Sequence, residues 1–378
     1  MKQKLLLAGI AAAAVMTSCS NDEVLEVNKG RAIDFRSAIA SRATETTLEN
    51  LDSIFVTAFN ENKLAFPYFE NLKFTQGGST NMWFSEEKYY FPGDNSSLTF
   101  HAYAPSAADM GATITSDSEN KNVVISEFAP AEDITKQVDI IYASAVDQRE
   151  SAAADGVFLT FKHALSQVVI KAKSASTGYN YEVKGVRITM VDSKGSFDFN
   201  EAKWTLGEDA KKTYTMTYND AVVLGADAKE LMNGGENAML LPQELTAWDW
   251  DGGNGDKENT NNGAYLAVLV KITTKDGALV YPFNEDSEDY AWAAIPVEGS
   301  WEAGKRYVYT LDFTSGAGYV DPTYPVKPGE PILVGNIRFN VDIEGWADEN
   351  LDIDAPGFEE DIVEKPGESE GEDPFGDE

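Results

Sequence analysis

Only two histidines occur in this chain, His101 and His163, and both fall inside runs that alternate apolar with polar residues. A zinc site needs three or four nitrogen or sulfur ligands. Two histidines in separate strands do not supply them. Ser166 follows His163 closely, but geometry rather than spacing defines a nucleophile and its base. Asp249-Trp250-Asp251-Gly252-Gly253-Asn254-Gly255-Asp256 carries oxygen ligands at the density of a calcium loop. Thr260 stands where an EF-hand needs its final acidic ligand, so the segment reads as a hydrophilic hairpin loop. Trp248 and Trp250 flank it, either as a sugar platform or as caps on a sandwich edge, and the second reading is preferred. Trp83 and Tyr89-Tyr90-Phe91-Pro92 read as core. No glycine-rich phosphate loop precedes a helix. The chain has 63 Asp and Glu, yet no pair stands out at a spacing suited to glycoside hydrolysis. The expectation is a protein that is not an enzyme, with no catalytic residue, no metal and no cofactor.

One thiol remains, Cys19. It follows a basic start, Met1-Lys2-Gln3-Lys4, an apolar run from Leu5 to Met16, and Thr17-Ser18. This is the order of a secretory signal, and the run is too short to span a bilayer. A cysteine at that place resembles a bacterial lipoprotein processing site, where the thiol is acylated. Each buried methylene of an acyl chain contributes about 0.8 kcal/mol to anchoring. Ser20-Asn21-Asp22-Glu23 resembles the surface-export signal of Bacteroidetes lipoproteins. The expected location is the outer membrane, through lipid at Cys19.

The 378 residues carry a formal charge of −33. That field repels phosphates and anionic membrane surfaces and excludes nucleic acid as a partner. Residues 347–378 hold 14 acidic residues and one lysine, an acidic tail expected to stay solvated.

The remaining apolar stretches are short and punctuated by turn residues. Ser53–Phe59, Ser97–Tyr103, Val157–His163, Tyr181–Met190, Tyr265–Thr273 and Tyr307–Phe313 all read as strands. The fold class expected is all-β, with two β-sandwiches. The expected division is a signal peptide over 1–18, a propeptide over 19–42, and sandwiches over 43–150 and 151–346, with the tail beyond. Four prolines in Asp321–Pro331 suggest an extended spacer. After it, Ile337, Phe339, Val341 and Ile343 share one face of a last strand that ends at Trp346. Near the start, Ala32–Ala38 forms another short strand. Arg42-Ala43 follows in a polar stretch open to a protease.

This ordered set resembles the fimbrillin family, lipoprotein-precursor pilins of Bacteroidales type V pili. The residues behind the resemblance are the lipoprotein start, Ser41-Arg42-Ala43, and several strand segments. These are Leu98-Thr99-Phe100-His101-Ala102-Tyr103-Ala104-Pro105, Phe161-Lys162-His163-Ala164-Leu165-Ser166-Gln167-Val168, Leu240–Leu245 and Trp301–Tyr309. The resemblance implies two tandem transthyretin-like sandwiches and cleavage between Arg42 and Ala43 by an arginine-specific protease. It also implies loss of the first strand, with Ile33 and Phe35, and its replacement by a strand of the next subunit. The donor would carry Ile337, Phe339, Val341 and Ile343. Expected partners are other pilin subunits in a homopolymer, with anchor and tip subunits. The competing reading is a monomeric outer-membrane lipoprotein that binds glycans.

Overall fold

The computed structural model describes residues 30–39, 51–77, 82–208, 210–232, 237–248, 263–283, 289–335 and 337–345. Cys19, Arg42, Ala43, the Asp249–Asp256 loop and the acidic tail lie outside them.

The described chain is almost entirely strand. β1 (Phe35–Ile39), β2 (Ser53–Asn60), β3 (Phe69–Gln76), β4 (Met82–Ser85) and β5 (Leu98–Ala104) come first. A single helical turn, α1 (Ala107–Met110), precedes the hairpin β6 (Thr113–Asp117) and β7 (Asn122–Phe128), followed by β8 (Ile141–Gln148) and β9 (Val157–His163). In the order β1-β4-β3-β2-β5-β8-β9 these strands close into a barrel. β9 shows why: Val157, Leu159, Phe161 and His163 are buried while the residues between them are exposed, the period-two signature of a half-buried strand. β5 is buried on both faces. Leu98, Phe100 and Ala102 fill the barrel. Its outward Tyr103 lies under a second layer built from Phe197, Phe199 and Trp204.

That second layer comes from further along the chain. β10 (Ser166–Lys173) and β11 (Tyr179–Asp192) lead to the hairpin β12 (Gly195–Asp198) and β13 (Lys203–Leu206), and β12 pairs with β7. The 150/151 boundary expected from sequence therefore has pairing across it, through β9 in the barrel and β12 on β7.

β14 (Lys211–Val223), β15 (Lys229–Glu230), β16 (Ala238–Leu240), β17 (Gln243–Leu245), β18 (Tyr265–Thr274), β19 (Leu279–Tyr281) and β20 (Ala291–Pro296) follow. β21 (Gly299–Trp301), β22 (Lys305–Asp312), β23 (Tyr319–Val320) and β24 (Arg338–Gly345) complete the described strands. Two sheets, β15-β10-β22-β24 and β14-β11-β18-β20-β23, enclose one apolar core. Val168, Ile170 and Tyr309 of the first sheet share it with Val186, Ile188 and Val268 of the second. The fold is all-β, as the short alternating runs predict.

The proline-rich segment differs from expectation. It is not a free spacer, because the Val320 amide donates to the Glu330 carbonyl at 2.9 Å and the Ile332 amide to the Gly318 carbonyl at 3.0 Å. Ile332 is itself buried. The link to β24 thus begins after Ile332, with Leu333 still packed against the core. Val334 is fully exposed there and Gly335 has φ 135°, a region that favours glycine.

Candidate functional site

The first and last described strands form the candidate site. β1 lies between β4, antiparallel to it, and β9, parallel to it from Phe35 opposite Val157 to Ile39 opposite Phe161. Ile33 and Phe35 are 1% and 0% exposed. The Phe35 ring meets Phe74 and Phe100 edge-on at 4.8 and 5.1 Å. Ser37 accepts a hydrogen bond from the Trp83 indole at 2.6 Å. The outward residues do less: Asp34 pairs with Lys88 at 3.7 Å, and Arg36 lies over the Phe158 ring. The start of β1 is pinned as well. The Arg31 amide donates to Glu150 Oε1 at 2.8 Å, and its Nη1 donates to the Ala153 carbonyl at 3.2 Å. The Ile33 amide donates to the Tyr89 carbonyl. Tyr68 donates its hydroxyl to the Tyr90 carbonyl at 2.6 Å. Burial and the nearby Asp94 carboxylate push its pKa up, so it stays the donor.

β24 has the opposite character. It pairs antiparallel with β22 alone, Phe339 opposite Leu311, Val341 opposite Tyr309 and Ile343 opposite Tyr307. The four odd-numbered apolar residues share a face, as their spacing requires, yet Phe339 is 39% and Ile343 60% exposed. Ile337 and Val341 are partly buried against the core. β24 is thus an edge strand with an under-covered apolar face. Such edges are ordinarily blunted or covered.

Sequence reasoning placed β1 and β24 but missed what holds them. The parallel partner β9 and the Trp83–Ser37 bond carry no local signal. The residues weighed for other chemistry are structural in setting. His101 is buried between Ser144 Oγ at 2.8 Å and the Lys121 carbonyl at 2.9 Å, and burial pushes its pKa down. His163 Nδ1 lies 2.9 Å from Asp139 Oδ2. Ser166 donates to the Glu302 carbonyl rather than to that histidine. Trp248 is buried against Tyr265 and Tyr319, and Trp83 and Phe91 lie in the barrel core. Among the described residues, no cluster of three or more metal-ligating side chains occurs.

A fimbrillin-like family profile matches residues 41–346. The chain belongs to the fimbrillin-like family. As a family member it is a fimbrial, cell-surface type of protein. The fold agrees with a fimbrial protein of Bacteroides vulgatus at 18% identity and a TM-score of 0.58, covering 84% of this chain and 100% of that one. A cell adhesion protein of Bacteroides uniformis is similar at 16% identity over 84% of this chain and 98% of the other, with a TM-score of 0.46. No curated protein matches the chain.

Proposed function

We propose that this fimbrillin-like chain is a structural subunit of a fimbrium that polymerises by strand donation, without catalysis. The precursor is carried to the outer membrane through lipid on Cys19 and cut after Arg42 by an arginine-specific protease. Loss of β1 opens a groove between β4 and β9, and β24 of another copy fills it.

The observation that carries this reading is the contrast between the two strands. β1 is enclosed by two neighbours and buries Ile33 and Phe35, whereas β24 has one neighbour and leaves Phe339 and Ile343 exposed. In the groove, β24 would gain a second hydrogen-bonded neighbour and cover its apolar face. Each large side chain so buried contributes about 1.5–3 kcal/mol. Four of them, less the cost of ordering, make an association that hardly reverses. A chain that worked as a monomeric glycan binder would have no use for this pair of strands.

The test is cleavage of purified precursor with an arginine-specific protease, followed by sizing in SDS. Ladders resistant to SDS are expected. Cleavage at Arg42 that leaves only monomers would overturn strand donation.

A further inference from the structure

Strand donation alone leaves open which way the incoming strand runs and what else the two subunits touch. The barrel and the link before β24 answer both, resting on the strand-donation reading above.

The two ends of the groove differ. At one end, β9 passes into β10 of the chain's own sandwich through Ala164 and Leu165 only. There the acceptor's own chain runs on into its second pair of sheets. At the other end lie the start of β1, the loop between β2 and β3, and the segment joining β8 to β9. Asn60 opposite Leu98, Leu98 opposite Gln148, and Phe35 opposite Val157 place these together. A donor strand is tethered at its N-terminal side, so the donor's sandwich must stand where Ile337 sits. Only the open end has room. On that reading the donor would run parallel to β9, as β1 does, with Phe339 two residues after Ile337 just as Phe35 follows Ile33.

The tether is short. Residues up to Ile332 are held to the sandwich, and the four positions after it, 333–336, could span at most about 14 Å if pulled fully extended. The donor's sandwich is thus held against the rim of the acceptor barrel. Two apolar features of the chain would come near each other across such a junction. On the rim, Leu64 is 46% and Phe66 80% exposed, on the loop whose Tyr68 bonds Tyr90 beside Ala32 at the mouth of the groove. At the root of the donor strand, an open cleft of about 470 Å³ lies between Ile295, Pro296, Tyr319 and Pro331 on one side and Ile337 and Phe339 on the other, so donation of the strand would take away the second wall and uncover Ile295 and Tyr319. Two copies of so acidic a chain repel one another, so an apolar contact beside the donated strand would add to the hold of the strand itself. The contact joins unlike surfaces, so it repeats head to tail without closing.

We propose that Phe66, supported by Leu64, is a knob that seats on the Ile295–Tyr319 surface uncovered when Ile337 and Phe339 leave, in the subunit whose strand it receives. It forms a second contact that fixes the angle between successive subunits.

The test uses the full chain in its own cells. Cleavage after Arg42 removes the one natural cysteine, so a Phe66→Cys, Pro296→Cys pair reports on this contact alone. Polymers sheared from the cells and oxidised should give a ladder that survives boiling in SDS without reductant and collapses to monomer with it. Each single variant should give no disulfide ladder. Polymers that form normally but never crosslink would overturn the knob while leaving strand donation standing. Failure of the unmodified chain to polymerise would overturn both. Phe66→Asp provides a second readout. Its polymers should assemble, because β24 is untouched, but dissociate in warm SDS about tenfold faster, the change falling in the off-rate. An unchanged rate would count against the contact.

Discussion

The indole of Trp83 donates to the hydroxyl of Ser37 at 2.6 Å, and both residues are buried. This is a polar tie between β4 and the strand proposed to leave. Ser37→Ala strands the indole N–H without its acceptor, a loss of about 1–3 kcal/mol. The uncleaved precursor should melt several degrees lower in a thermal scan. An unchanged melting temperature would show that the N–H finds another partner.

Phe339→Asp with Val341→Asp separates folding from assembly. Both residues sit on an edge strand, Phe339 39% exposed and Val341 only partly buried, so the precursor should keep the strand signal of its circular dichroism spectrum even if β24 loosens. Polymers should vanish, because two charges would enter an apolar groove. Ladders of normal length from the double variant would contradict the assignment of β24 as donor.

Arg42→Ala should hold the chain as a folded precursor on the cell surface. Arg31 and Arg36 are poor substitutes for the protease, since Arg31 is bonded to Glu150 and Ala153 and Arg36 lies over Phe158. Mass spectrometry of sheared material should find no N-terminus at Ala43. A normal yield of polymer from a chain with Arg31, Arg36 and Arg42 all replaced by alanine would exclude arginine-directed activation.

Gly335 sits at φ 135°, and a Cβ there would lie 1.9 Å from the Ser315 carbonyl oxygen. Gly335→Ala should loosen β24 from β22 while sparing the rest. Hydrogen exchange should quicken for residues 338–345 and stay unchanged in β9.

His101 supplies a pH dependence. Burial lowers its pKa in the fold, so the unfolded chain binds the proton more readily. Its contribution is complete above the unfolded value of about 6.5 and is lost as pH falls below it. The melting temperature should drop between pH 7.5 and 5, and drop less in His101→Gln. Equal drops would place the acid sensitivity elsewhere.

Period-two alternation made β9 legible, because it buries every second residue against one layer, whereas β2 and β5, buried on both faces for much of their length, were legible from their apolar, aromatic and β-branched content. Other features rest on contacts far apart in sequence. The parallel pairing of β1 with β9 joins residues more than a hundred positions apart, and no local pattern announces it. The sequence offers no sign of β12, whose place is fixed by Phe197 against Tyr142 and by Phe199, just beyond it, against Tyr103 and His101. The prolines of 321–331 read as an extended spacer, since proline stiffens a chain. The hydrogen bonds of Val320 and Ile332 that fold it back depend on partners the composition does not name. Cys19, Arg42 and Ala43 remain readings of the sequence, outside the described residues.

The passage from β9 to β10 through Ala164 and Leu165 has a mechanical consequence. A filament built by strand donation takes up tension through the strand lying alongside β9 and hands it directly to β10, which runs parallel to β22 over seven register pairs. Pulling along such parallel neighbours shears their hydrogen bonds together instead of unzipping them singly. A surface fibre wired in this way should yield by subunit unfolding at high force rather than by slippage of its joints.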